Sequence, residues 1–419
     1  MSAAVRNQGG TPLFRLHIGA LVALVLGTFM VVSHLPVLSI GLRQGLMMVA
    51  ILAGAILAAL GFGRSGPGRV LAVTLPAVML ITIFGLHNLS HPALTEYAAT
   101  KRAVFPVVIL SCLVVFPLAI YAFDRNLKYT INILIAVSIL FAVLAFAVPT
   151  GENIRRSGIE LNPVMHAKLL FFPFFLAAAR PAHLQYRLLF LATLLLSIVA
   201  CLKTGSRSPI AVVIIILCLD TILNAGLKSA IRLISYGGII LASVIMLLDF
   251  VPREIAERFT LDALGAQSDE GDRLFLLAFA FDLISQNPEG IGMGNMSAYF
   301  WLFAPHNIVL EAIMDFGFLA ALPYVGLLAF STLLAFRALR SRDTSRRFVA
   351  IWFFFFLGQS LIGGEMTFPS MLLYIPMGLL ILMRPRYGGF YKHSRSPMRE
   401  QMAGTGVSTT PTQRNEQGV

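Results

Sequence analysis

Along most of this chain, apolar residues run on for roughly twenty positions before a short polar stretch interrupts them, the length that a helix needs to cross a bilayer. Such runs occupy about 17–38, 44–62, 69–89, 103–122, 129–148, 163–179, 186–202, 208–224, 232–250, 308–336, 348–363 and 369–383. The pattern predicts an all-α polytopic membrane protein with about 12 transmembrane helices. One long non-membrane insert, about 251–305, separates the ninth span from the tenth. Pro76, Pro106, Pro117 and Pro173 lie inside spans, where neighbouring helices can satisfy the backbone groups that a proline frees. With Pro163 and Pro173, the sixth run reads as the weakest span, either broken or partly re-entrant. Within the insert, Leu274, Leu277, Ala278 and Phe281 recur at helical spacing, predicting a short amphipathic helix on the membrane surface.

Composition agrees with the pattern. Of 419 residues, 57% are hydrophobic and 12% charged, against roughly 25% charged in soluble domains. The net charge of +12 does not point to nucleic acid, because the basic residues fall between and after apolar runs rather than along one face. Arg337, Arg340, Arg342, Arg346 and Arg347 crowd one connection, and Arg384, Arg386, Lys392, Arg395 and Arg399 follow the last span. Both segments are expected on the cytoplasmic side. The segments 151–162, 203–207 and 251–305 then face outward. The chain divides into a membrane domain, 1–393, and a tail, 394–419, whose Ser, Thr, Gln and Gly content predicts disorder. The first run reads as an uncleaved span. Cys112, Cys201 and Cys218 lie in apolar runs without metal-ligand spacing, so neither a disulfide framework nor a metal site is expected.

Three outward segments carry candidate chemistry. In LKTGSRSPIAVV, 202–213, Ser208 and Pro209 form an N-cap and first-turn signature. A helix beginning here has unpaired N–H groups and a dipole that favours a bound anion. Arg207 stands at that start and Lys203 four residues earlier; both either face an anion or snorkel to the interface. In GDRLFLLAFAFDLISQNPEGIGMGN, 271–295, Arg273 opens the amphipathic helix and either binds an anion or pairs with headgroups or Asp269. The following GIGMGN lacks both the G-x-G-x-x-G spacing and a preceding strand, so it reads as a turn. In APHNIVLEAIMDFG, 304–317, Pro305 suits a first helical turn and would set His306 beside a helix start, where the dipole favours a neutral, proton-accepting ring. His17, His34, His87, His91, His166 and His183 show no comparable context. Glu311 and Asp315, four apart, share a face and are candidates to anchor arginines. Two arginines at helix starts and one neutral histidine suit a diphosphate leaving group and a hydroxyl deprotonated for attack. No acidic cluster of the metal-dependent kind stands with them on the outer side, and no cofactor is expected.

TGSRSP at 204–209, the segment from Asp272 to the NPEGIGMGN of 287–295, and HNIVLEAIMDFGFLAALP at 306–323 resemble the O-antigen ligase and O-antigen polymerase family of bacterial inner-membrane glycosyltransferases. ELNPVMHAKLL at 160–170 is a looser match to the family's Asn-Pro segment. The resemblance implies transfer of a glycan from undecaprenyl diphosphate to an acceptor hydroxyl at the periplasmic face of the inner membrane, without metal. It places Arg207 and Arg273 on the diphosphate and His306 on the acceptor, with Lys203 and Asn307 as further substrate contacts. The acceptor is the lipid A core for a ligase or the growing glycan for a polymerase; membrane lipids surround the protein and nucleic acid has no part. A protein O-oligosaccharyltransferase is a further enzymatic reading. A solute transporter would need charges deep in the spans, whereas Asp220, Asp249 and Glu365 sit near span ends.

Overall fold

The computed structural model describes residues 12–34, 40–147, 167–179, 195–200, 208–223, 231, 234–235, 238, 270–300, 305–363, 366–367 and 370–384. Among these, every regular element is helical: α1 (Pro12–His34), α2 (Ile40–Ser65), α3 (Pro67–Ser90), α4 (Glu96–Phe123), α5 (Lys128–Ala147), α6 (Phe172–Ala178), α7 (Ser208–Leu223), α8 (Glu270–Gln286), α9 (Met296–Tyr299), α10 (Ile308–Leu339), α11 (Thr344–Gly363) and α12 (Met371–Met383). Gly41–Ser65, Pro67–Ser90, Glu96–Phe123, Ile308–Leu339 and Thr344–Gly363 are long and apolar enough to cross a bilayer. The chain is a multi-pass membrane protein. Leu52, Leu71 and Leu319 stand 58, 61 and 84% exposed on these helices, an apolar surface suited to lipid. The predicted spans at 186–202 and 232–250 fall largely outside the described residues, as does the tail after 384.

Two predicted spans differ in form. The sixth run is helical over the short α6, preceded by a turn at 170–171, as two prolines in one run would favour. The run 308–336 is a broken helix: Gly317 at φ 72° and ψ 172° interrupts α10 nine residues after its start. A third element carries a smaller irregularity. Between Pro106 and Pro117, α4 widens into a π-helical stretch, Ile109–Val115, where Ser111 Oγ donates to Val107 O at 2.6 Å. Gly378 of α12 packs there, so close that a Cβ would lie 2.6 Å from the Pro117 ring.

α10 and α11 run antiparallel through the protein and define its two ends. At one end, buried Arg347 donates to Asp220 Oδ1 at 2.6 Å, to Ala178 O at 3.3 Å and to Leu339 O. A single guanidinium thereby joins α6, α7, α10 and α11. Asp220 does sit at a helix end, as the sequence indicated, but its charge is used to hold the bundle together.

Candidate functional site

The opposite end of α10 and α11 collects the sequence-predicted segments. α7 starts at Ser208, and the Ser208 hydroxyl, expected as a cap, donates instead across to Gln359 Oε1 of α11 at 3.2 Å. α10 starts at Ile308, not in the turn containing Pro305: Asn307 is its N-cap, and His306 precedes the cap. Asn307 Oδ1 accepts from the amides of Val309 at 3.1 Å and Leu310 at 3.0 Å, satisfying two of the helix's orphan donors. Its Nδ2 donates to Leu361 O at 3.1 Å. The start of α7 and the start of α10 are therefore both tied to one turn of α11, residues 359–361.

His306 is half-buried and adopts φ 56°, a left-handed conformation that costs a non-glycine residue about 1–3 kcal/mol. Immediately after this turn the chain enters the apolar first half of α10. Lys203, Arg207 and the side chain of Arg273 lie outside the described residues; the Arg273 backbone falls in the first turn of α8.

α8 forms as expected, with a different face inward. Leu276, Ala280, Leu283 and Ile284 are buried with Leu310 and Met314 of α10, while Phe281 is 61% exposed. The Leu276 side faces inward because the partner of α8 within the protein is the half-helix 308–316. Phe275, at 55% exposure, lines the outer side of α8 with Phe281.

The loop after α8 is a set of turns, as GIGMGN suggested. Gly290, Gly292 and Gly294 all take positive φ. Ile291 N donates to Met314 O at 3.0 Å and Gly292 N to Asp315 O at 2.8 Å, two carbonyls that the break at Gly317 releases. Gly294 N donates to Asp315 Oδ2 at 3.2 Å. The glycine loop thus caps the end of the half-helix whose start carries Asn307.

Glu311 and Asp315 do act as anchors, and the cation that pairs with them among the described residues is a lysine from α4. Lys101 Nζ donates to Glu311 Oε1 and lies 3.5 Å from Asp315 Oδ2, and all three side chains are at most 2% exposed. Glu311 Oε2 accepts from Met366 N at 2.8 Å, and Tyr374 OH donates to Met366 O at 2.7 Å. Nothing in the local sequence of Lys101 marks it; its partner lies 210 residues away.

His87 and His91 also have a context that local sequence does not reveal. Their rings stack at 4.2 Å, and His87 Nε2 lies 2.8 Å from Glu289 O in the glycine loop. A carbonyl only accepts, so that nitrogen carries the proton. Arg102 reaches the same corner, donating from Nε to Met293 O at 3.1 Å and from Nη1 to His91 O. The loop is held from one side by α3 and α4 and from the other by α10.

Residues 192–325 match the family model described as O-antigen ligase. Over this segment the chain is similar to the O-antigen ligase family. The ligase-family region takes in the start of α7, all of α8, the glycine loop, His306, Asn307 and the break at Gly317. Lys101, Gln359 and Leu361, which hold that region in place, come from outside it. No curated protein matches the chain. The family match and the apolar helices together support a membrane enzyme.

Proposed function

We propose that this protein transfers O-antigen, or a related polysaccharide, from undecaprenyl diphosphate to a hydroxyl of the lipid A core at the periplasmic face of the bacterial inner membrane. The acceptor oxygen gives its proton to His306 and attacks the anomeric carbon of the donor sugar. The bond from that carbon to the diphosphate oxygen breaks, and undecaprenyl diphosphate leaves with the bonding pair. Arg207 and Arg273 hold the diphosphate, with Lys203 at the same surface, and stabilise the charge that develops on it. Asn307 fixes the α10 start beside the base. The set of cations performs this role without a metal.

The observation that carries the reading is the meeting of two helix starts, Ser208 and Asn307, on the Gln359–Leu361 turn. It ties the anion-favouring end of α7 and the residue next to His306 to the same turn of α11.

Extension of the glycan on its lipid carrier by a polymerase would use the same chemistry. Lipopolysaccharide from a deletion strain, separated on a gel, distinguishes the two. Loss of every O-antigen-capped band is expected for the ligase; survival of a band carrying a single repeat would assign the polymerase reaction instead. In purified protein, Arg207→Ala and Arg273→Ala are expected to lower transfer about ten- to hundredfold each, the weight of a charge-assisted hydrogen bond. Transfer at the unaltered rate in both variants would remove the diphosphate reading.

A further inference from the structure

Two buried donors find no acceptor among the described residues. Gln359 is 1% exposed. Its Oε1 accepts from Ser208 Oγ at 3.2 Å, while its Nε2 has no hydrogen-bond partner. An amide hydrogen without an acceptor costs about 1–3 kcal/mol when buried, and the Ser208 contact fixes this one at the positive end of a 16-residue helix.

Lys168 is the second. It is 1% exposed, and no carboxylate among the described residues pairs with it. α6 and α11 are antiparallel: Ala178 meets Arg347, Phe175 meets Phe348 at 6.3 Å, and Phe172 meets Trp352 at 5.4 Å and Phe356 at 6.1 Å. The chain before Phe172, through the turn at 170–171, therefore leads toward the Gln359 end of α11, and Lys168 lies on it. An unpaired ammonium in a membrane interior is expensive to maintain. Gln359, tied to Ser208 at the start of α7, and Lys168, on the chain that leads toward the same end of α11, are thus two buried donors lacking an acceptor among the described residues.

We propose that Gln359 and Lys168 contact the substrate, donating to a phosphoryl oxygen bound at the start of α7. This rests on the glycan-transfer reading above and adds two ligand-binding residues from the membrane interior to the expected surface arginines. The phosphoryl group belongs either to the lipid carrier's diphosphate or to a phosphorylated acceptor.

The test uses full-length protein in nanodiscs and two probes, undecaprenyl diphosphate and a phosphorylated lipid A core, with binding read as ligand-induced stabilisation. Gln359→Leu and Lys168→Met are each expected to weaken binding of one probe about ten- to hundredfold. Without ligand, Lys168→Met is expected to melt no lower than the parent, since it removes an unpaired buried charge. The probe affected names the source of the phosphoryl group. Parental affinity for both probes in both variants would overturn the inference and leave glycan transfer standing. Failure of the parent protein to bind undecaprenyl diphosphate would overturn both. Should Gln359→Leu fold poorly, Gln359→Glu keeps the shape and the Ser208 contact. It places an acceptor against the anion, so it is expected to weaken binding at least as much.

Discussion

Gly317 occupies the space that a side chain on Gly290 would need, and the backbone just before Gly290 occupies the space that one on Gly317 would need. A Cβ on Gly317 would fall 2.6 Å from Pro288 O, and one on Gly290 would fall 2.6 Å from the Phe316 carbonyl carbon. Both residues hold positive φ, 94° and 72°. Steric contact with backbone leaves no route for relief, because no flexible side-chain end can move away. This contact is what lets the glycine loop dock on the broken end of the α10 half-helix.

Gly317→Ala and Gly290→Ala are therefore each expected to destabilise the protein by about 2–4 kcal/mol, combining left-handed strain with overpacking. Gly326→Ala is the control, since a Cβ there meets nothing within 4 Å in the same helix. It should be neutral or stabilising by up to about 1 kcal/mol. Melting of detergent-solubilised protein reads all three, and equal melting of Gly317→Ala and Gly326→Ala would contradict the docking argument.

Lys101→Met removes the buried ammonium that Glu311 and Asp315 share, and a loss of about 3–5 kcal/mol is expected. Adding Glu311→Gln should recover part of it, because the amide keeps an acceptor for Met366 N while removing one charge. A double-mutant cycle is expected to give a coupling of about 1–3 kcal/mol. Additive losses would mean that the two residues do not hold α4 to α10 as a pair.

Much of this architecture was legible in the sequence because it depends on local composition. Apolar run lengths located α2, α3, α4, α10 and α11 within a few residues, and the positive φ of Gly290, Gly292 and Gly294 follows from GIGMGN being a turn. What could not be read arises from distant pairing. Lys101 and Glu311, or Ser208 and Gln359, are separated by 210 and 151 residues. The protein-facing side of α8 is not legible in the sequence because Leu276 and Phe281 are equally apolar, and only the position of Leu310 and Met314 decides which is buried. The α10 start was placed at Pro305 on proline preference, yet the asparagine two residues on makes the stronger cap.

Arg347 offers a contrast between stability and function. It lies at the end of α11 away from Gln359 and Leu361, and holds Asp220, Ala178 and Leu339. Arg347→Ala should cost about 3–5 kcal/mol by removing the buried guanidinium that pairs with Asp220 and joins four helices. Glycan transfer per folded molecule should be retained, because nothing at the His306 end changes. The measurement is melting temperature beside kcat of the purified variant, and a large fall in kcat with normal melting would show that the two ends communicate.

His306 ties the chemistry to the backbone that presents it. As a positioned general base it should contribute about 10²–10⁴-fold to transfer, so His306→Ala, His306→Gln and His306→Gly should all lose that factor. The three should differ in stability. At φ 56° glycine is unstrained and alanine is not, so His306→Gly should melt above His306→Ala by the equivalent of about 1 kcal/mol. Donor binding should persist in each, because the arginines and the start of α7 carry it. If His306 instead only donates a hydrogen bond to the diphosphate, His306→Gln keeps a donor and most of the activity, while His306→Ala loses donor affinity. Transfer rates and undecaprenyl diphosphate binding measured on the same preparations separate the two roles. An active glutamine variant would assign the proton to another acceptor and leave the helix starts at Ser208 and Asn307 as the binding site.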